Sequence, residues 1–198
     1  MERNLTEISL LPFSSELKPS SEASDIDIHN HVRWRNASIP WLRTCSMTDF
    51  YEQKRFFTQP KFNQTFFLYQ ENKVTKGLVG LTSINLTHKT AEFSLLIGSE
   101  FQRQGCGLRA LRLLIQYGFS QGISLIFGET YLYPLDSQSF LDKMKVNYLT
   151  TAQGLLNPGA KLYERLGFQM DARLRNRYRK YGFTIDSVQY SILPGELC

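Results

Sequence analysis

The sequence predicts an α/β (α+β) fold, with a mixed, mostly antiparallel central sheet flanked by helices. Three observations carry this. Apolar residues between 65 and 98 recur with a period of two, in three runs broken by short polar turns. A glycine-containing turn at 102–107 hands the third run directly to a helical pattern. A further strand, a short capped helix and two closing strands follow. At 198 residues the chain is long enough to bury one sizeable core.

In chain order, "LTEISLLP" (5–12) reads as a first strand. The polar segment from Ser21 to Asn36 reads as a helix anchored by Trp34. A second helix starts near Thr48 and carries Phe50, Tyr51, Phe56 and Phe57; Thr48 and Tyr51 make no capping box, so its start is only loosely placed. "TFFLYQ" (65–70), "LVGLTSINLT" (78–87) and "TAEFSLLIG" (90–98) are strands joined as antiparallel hairpins. In the third, Ala91, Phe93, Leu95 and Ile97 share one face, and Glu92, Ser94 and Leu96 the other. The helix after the glycines has an apolar stripe at Leu111, Leu114, Ile115 and Gly118 and a polar one at Arg109, Arg112 and Gln116. "LIFGETYL" (125–132) is a strand. "PGAKLYERL" (158–166) is a helix with Asn157 placed to cap it, Pro158 at its first position and Gly167 past its end. Residues 168–182 and 183–193 close the sheet.

The formal net charge of +5 favours an anionic ligand but is too small and dispersed to argue for nucleic acid. No apolar run is long enough to span a bilayer. The charged N-terminus lacks the apolar segment of a signal peptide, and the cysteines (Cys45, Cys106, Cys198) are too scattered for a disulfide framework or a zinc site. The expectation is a reduced, cytoplasmic protein, in which the four Asn-x-Ser/Thr matches are chance. His29 and His31 lack a third ligand nearby and read as structural; His88 falls in a turn.

The glycine turn bears most on function. Gly105 and Gly107 leave backbone N–H groups uncovered where a helix begins, and the first N–H groups of a helix are unpartnered and sit at its positive end. Strand, turn and helix start together make a nest suited to a pyrophosphate, with Arg103 and Arg109 placed to add charge. A Walker loop is excluded because Leu108 and Arg109 replace Lys-Ser/Thr, and the Rossmann spacing is broken by Gln102 and Leu108. A turn that merely starts a helix is the alternative.

"QRQGCG" (102–107) resembles the Gln/Arg-x-x-Gly-x-Gly/Ala motif of the GNAT superfamily of acyl-CoA-dependent N-acyltransferases, and "NPGAKLYERLGF" (157–168) resembles that family's Asn-x-x-Ala…Leu-Tyr-Glu-x-x-Gly-Phe segment. The two stand in the family's order. "RWRN" (33–36) and the closing "RLRNRYRKYGFTIDSVQYSIL" are similar to the RimJ/RimL-like branch. The resemblance covers nearly the whole chain. It implies one acyl-CoA N-acyltransferase domain over 1–198, with an insertion at about 133–156, and acetyl-CoA as co-substrate without a metal.

The resemblance also implies roles. Leu95, Leu96 and Ile97 would offer backbone to the pantetheine arm by strand addition. Gln102 opens the motif, and the N–H groups of Arg103, Gln104, Gly105, Cys106, Gly107 and Leu108 would hold the pyrophosphate. The Leu96 N–H would polarise the acyl carbonyl. Tyr163 matches the tyrosine that protonates the departing sulfur, against a packing role with its hydroxyl bonded to backbone. Glu129 and Glu92 are rival bases for the amine, or carboxylates held in salt bridges. Asn157 matches a cofactor-facing asparagine. It stands six residues before Tyr163 where the family has seven, a turn of about 100° on a helix, so either it faces elsewhere or the helix starts differently. Cys106 has no histidine partner and reads as backbone rather than nucleophile.

The insertion reads as a helix begun by Ser137 or Ser139, with Phe140/Met144 and Leu141/Tyr148 pairs. It is placed to cover an acceptor pocket or to join a homodimer interface. Arg173, Arg175, Arg177 and Arg179 alternate along a strand and would crowd one face, as a grip for a phosphate-bearing acceptor or RNA, or as a solvated edge. The reading is an N-acetyltransferase acting on a small amine, an amino sugar or a protein N-terminus. The alternative is a non-catalytic module that binds a CoA ester or RNA.

Overall fold

The computed structural model describes residues 14–59 and 61–198, so the strand expected at 5–12 lies outside the described residues. The strands are β1 (Ser15–Pro19), β2 (Thr65–Glu71), β3 (Val74–Asn85), β4 (Thr90–Ile97), β5 (Leu125–Tyr133), β6 (Leu149–Thr151), β7 (Gly154–Leu156), β8 (Gln169–Lys180) and β9 (Phe183–Ile192). The helices are α1 (Asp25–Ala37), α2 (Phe50–Thr58), α3 (Cys106–Ser120), α4 (Gln138–Lys143) and α5 (Gly159–Arg165). One mixed sheet runs β1-β2-β3-β4-β5-β7-β6, with β9 paired to β5 and β8 to β9. Among the described residues only β4 and β5 pair in parallel.

Local chemistry sets these elements. Two-residue turns close the β2–β3 and β8–β9 hairpins, and both central residues of each have positive φ: Asn72 and Lys73, Tyr181 and Gly182. That conformation matches the natural twist of the strands. Ser24 and Asp27 form a reciprocal capping box at the start of α1. Asp49, rather than Thr48, caps α2 by accepting from the Glu52 N–H at 2.8 Å.

The alternation read for β4 separates two layers. Val79, Leu81, Ala91 and Phe93 face α3, whose Leu111, Leu114 and Ile115 are fully buried; each such side chain contributes roughly 1.5–3 kcal/mol. On the other face, Leu68 and Leu78 pack with Ile28 of α1 and Phe57 of α2. A third cluster, Tyr131, Tyr133, Leu141, Leu155 and Ile185, joins the insertion to the far end of the sheet.

Two expectations are corrected. The insertion's helix is short, ending at Lys143, and is followed by the β6–β7 hairpin; Met144 lies beyond it and is exposed, so the Phe140/Met144 helical pair does not form. Phe140 instead packs on Tyr181 and Phe183. The four arginines of β8 do not share a face, because the ladder shifts register between Leu174 and Tyr178. Arg173 pairs with Asp186, while Arg177 crosses to Glu129 on the other side.

Between α1 and α2, the His31 ring lies edge-on to Phe57 and is 4% exposed. Burial lowers its pKa to about 4, so it is neutral in the fold. The unfolded chain binds a proton there from the usual value of 6.5 downward, so this stabilisation is complete above pH 6.5 and is lost as pH falls towards 4. The shift corresponds to about 3 kcal/mol. Urea titrations should show the wild type losing more stability than His31→Phe between pH 6.5 and 4. Parallel losses would contradict this assignment.

Candidate functional site

β4 and β5 pair only through Thr90–Leu125, Ala91–Ile126 and Glu92–Phe127, and then part. The cause lies in the next pair of residues. The Phe93 ring sits where a side chain at Gly128 would be: a Cβ there would come within 2.4 Å of it. The ring is held edge-on by Tyr163 at 5.0 Å and Phe168 at 5.2 Å. Beyond the wedge, Leu95, Leu96 and Ile97 have β3 as their only strand partner among the described residues. On the β4 side of β5, the Asn157 N–H donates to the Tyr131 carbonyl at 3.2 Å, and β7 takes over at Leu132 and Tyr133.

The glycine turn stands at the open end of β4. Gln102 donates its side-chain amide to the Ile97 carbonyl at 3.1 Å, and Gln104 donates to the Glu100 carbonyl at 2.8 Å. Arg103 and Gly105 both have positive φ, and Gly105 starts α3. A Cβ on Gly107 would lie 2.9 Å from Leu162, with Ile97 and Leu95 close by. Gly105 and Gly107 thus leave bare backbone at the start of α3, with neighbouring side chains packed close on Gly107.

The arginines expected to add charge are already engaged. Arg103 donates to Asn147 of the insertion at 2.6 Å. Arg109 pairs with Glu71 at 2.6 Å and donates to the Gln104 carbonyl at 3.1 Å, so it braces the turn from behind. Burial pushes the Glu71 carboxyl up, but hydrogen bonds from Tyr69 and Arg109 outweigh it and the net shift is downward. Cys106 is buried with its thiol towards Glu71, pushed up by burial, as befits a packed residue. A cavity of about 390 Å³ opens beside this network, lined by Glu71, Lys76, Gln104 and Arg109 among others.

On the α3 side of the parting strands, Tyr163 is 8% exposed among Phe93, Phe168 and Tyr190, and burial pushes its phenol well up. A Cβ on Gly159 would stand 3.2 Å from both the Tyr163 hydroxyl and Asn157 Oδ1, so these two groups converge there. Asn157 Oδ1 accepts the Gly159 N–H at 2.8 Å. The spacing of six is thus accommodated because α5 begins after Pro158 and Asn157 lies outside it.

Glu92 and Glu129 occupy the opposite face, the side of α1 and α2. Both are held: Glu92 by a bidentate pair with Arg43, and Glu129 by Tyr178 at 2.9 Å, Ser187 at 3.0 Å and Arg177 at 3.4 Å. Burial pulls the Arg43 pKa down, but its hydrogen bonds and charge interaction with Glu92 carry it upward overall. The same strand anchors α1: Trp34 packs on Gly98, where a Cβ would meet its ring at 2.4 Å, and donates to Glu100 at 3.0 Å. Asn36 bonds both the N–H and the carbonyl of Thr48, which sets the α1–α2 connection.

A family model described as the acetyltransferase (GNAT) family matches residues 31–145. The chain belongs to the GNAT family. Its nearly full-length structural likenesses include a spermidine N-acetyltransferase from Vibrio cholerae in complex with CoA and spermine, with a TM-score of 0.70 at 20% identity over 92% of this chain and 96% of that one. A chimera of the Vibrio cholerae spermidine N-acetyltransferase with hSSAT gives 0.68 at 18% identity over 90% and 95%. These likenesses establish the fold. The spermidine N(1)-acetyltransferases of Escherichia coli K12 and O157:H7 are 46% identical over 44 residues. That stretch is 22% of this GNAT chain and spans 24% of the curated relatives' length.

Sequence reasoning missed Arg43, Tyr178, Ser187 and Glu71. Arg43 follows "IPW" in a connection without periodicity, and Glu71 stands at the edge of a turn; each acquires its partner only through folding. Among the described residues no group of three potential metal ligands occurs, and no helix is long and apolar enough to cross a membrane.

Arg109→Met should strand the Glu71 carboxylate, whose side chain is 8% exposed. The expected loss is ~2–3 kcal/mol, below the range for a fully buried pair because Arg109 keeps some solvent contact. Chemical denaturation measures it. Adding Glu71→Gln should recover part of the loss; a double variant less stable than Arg109→Met would refute the pairing.

Proposed function

We propose that this GNAT chain is an acetyl-CoA-dependent N-acetyltransferase that works as one domain with an insertion at 133–156. The observation that carries it is the parting of β4 from β5 at Phe93 and Gly128, with a bare helix start at its open end and, beside it, the Tyr163 hydroxyl, which has no hydrogen-bond partner among the described residues. Residues 103–108 hold the pyrophosphate through backbone N–H groups, with the chain direction set by Gln102. Leu95, Leu96 and Ile97 receive the pantetheine amides, and the thioester lies near Leu96.

The amine nitrogen attacks the thioester carbonyl; the carbon–nitrogen bond forms as the carbon–sulfur bond breaks. Tyr163 gives its proton to the departing sulfur. Its burial keeps the proton on the phenol until thiolate develops beside it. The proton lost by the amine passes to Glu92 or Glu129, directly or through water. Alignment of the two reactants contributes about 7–11 kcal/mol in well-oriented cases, and a positioned acid or base roughly 10²–10⁴-fold.

The acceptor is a small amine bound on the α1–α2 side, where the two carboxylates face it. Spermidine is the first candidate, because relatives and structural neighbours act on it. The residues "RWRN" and the closing strands support a RimJ/RimL-like architecture for the same chemistry. A cytoplasmic location and a homodimer joined through the insertion belong to this reading; light scattering tests the latter. The register shift in β8 removes the shared arginine face on which RNA binding rested.

Thiol release from acetyl-CoA with spermidine tests the mechanism. Tyr163→Phe should lower kcat by about 10²-fold or more with the acetyl-CoA KM within about threefold of wild type. An unchanged kcat would remove Tyr163 from the chemistry. Gly107→Val should weaken CoA binding in calorimetry at least tenfold, since its side chain would press on Leu162, Ile97 and Leu95 and displace the backbone of the turn; undiminished affinity would overturn the placement of the pyrophosphate.

A further inference from the structure

Lys180 ends β8 and is 4% exposed, unlike its exposed neighbours Arg179 and Tyr181. Its ammonium donates to the carbonyls of Ile39, Leu42 and Thr44. An ammonium has three protons and no acceptor, so this set saturates it. A buried charge is tolerated only when it is paired or fully bonded. All three carbonyls belong to the connection between α1 and α2. A fourth in that stretch, Pro40, accepts from the fully buried Tyr133 hydroxyl at 2.7 Å. Four of the six carbonyls from residues 39 to 44 are thus tied to β5 and β8.

This tethered stretch carries Arg43. Its guanidinium leaves the tether and reaches Glu92, the last residue of β4 paired to β5 before the strands part. The Arg43 side chain is 54% exposed and that of Glu92 11% exposed, so the tether delivers a half-solvated cation to a nearly buried carboxylate. Without the tether, a guanidinium on a free connection would have to give up conformational freedom to reach the same place.

We propose that Lys180 is a positioning residue for the acceptor side of the site: by gathering the carbonyls of Ile39, Leu42 and Thr44 it holds the α1–α2 connection so that Arg43 fixes Glu92 where the amine arrives. The functional part rests on the acetyltransferase reading above; the tether itself does not. Lys180 touches neither reactant. It acts through the connection and through Arg43.

The test uses the full chain, with spermidine as acceptor and amide hydrogen exchange as a second readout. Lys180→Met should accelerate exchange across residues 39–45 and lower kcat/KM for spermidine about tenfold, leaving the acetyl-CoA KM within about twofold. Arg43→Met should lower the spermidine kcat/KM similarly without changing exchange on β8, and the double variant should be no worse than the poorer single one. Multiplying effects would show that Lys180 does not act through Arg43 and would overturn the proposal. Unchanged exchange in a folded Lys180→Met would overturn it as well. If Lys180→Met does not fold, Tyr133→Phe keeps the ring but frees the Pro40 carbonyl; faster exchange over 39–45 with a several-fold loss in spermidine kcat/KM supports the tether, and no change in either refutes it. A wild type that binds CoA but acetylates no spermidine would count against the acceptor assignment, while the exchange comparison would still decide whether Lys180 holds the connection.

Discussion

Everything at the site follows from one steric fact, that the Phe93 ring occupies the space above Gly128. Parallel strands stay paired as long as their backbones can keep ladder spacing. A ring lying over the neighbouring backbone is accommodated only because residue 128 has no Cβ. Past that point β4 keeps β3, β5 keeps β9 on its other edge and takes β7 at Leu132 and Tyr133, and a gap lined by backbone opens between β4 and β5. Tyr163 and Phe168 hold the wedge from the α3 side, so the residue nearest the proposed chemistry is also part of what keeps the strands apart.

The parting divides the site into two environments. On the α3 side the walls are aromatic and aliphatic, and Tyr163 has no charged neighbour to lower its pKa. Low polarity there raises the cost of a phenolate and favours a proton donor. On the α1–α2 side the walls carry two held carboxylates: Glu92 paired with Arg43, and Glu129 held by Arg177 and the Tyr178 phenol. Such pairing fixes its members in place and lends itself to orienting an ammonium rather than merely attracting one. One strand, β4, presents odd residues to the first environment and even ones to the second, an arrangement that would let the proposed thioester and amine approach each other across it.

What the sequence made legible was what depends on local chemistry. Period two in 65–98, the glycines before α3, and Asn157, Pro158 and Gly167 around α5 all act within a few residues of themselves, and the structure has strands and helices there. The β6–β7 hairpin was not legible: three-residue strands are too short for alternation to show, and they exist because β5 has lost its partner. The arginines of β8 looked like one stripe because a bulge is invisible to simple alternation; Asn176, with its positive φ, is where the strand bends. Nothing in "RNRYRK" marks out Lys180, since its three acceptors lie more than 130 residues away. For the same reason Glu92 and Glu129 could be picked out as candidates, while Arg43 and Arg177, which hold them, could not.

The two ends of β4 are tied to the last turns of α1 and to the connection that follows it, and this links the Glu92 end of the strand to the glycine turn. Near its end α1 lays Trp34 on Gly98 and, with Arg33, grips Glu100 just ahead of that turn. Immediately after α1, the connection held by Lys180 sends Arg43 back to Glu92, six residues before Gly98. Six extended residues span about 20 Å, so a single helix and its following connection measure off a fixed length of chain between a carboxylate and the glycine turn. A strand free to slide or twist could not keep a thioester in register with an amine. Packing Trp34 at one point and pairing Glu92 at the other removes that freedom, so the alignment that the proposed acyl transfer requires would be built into the fold before either reactant binds.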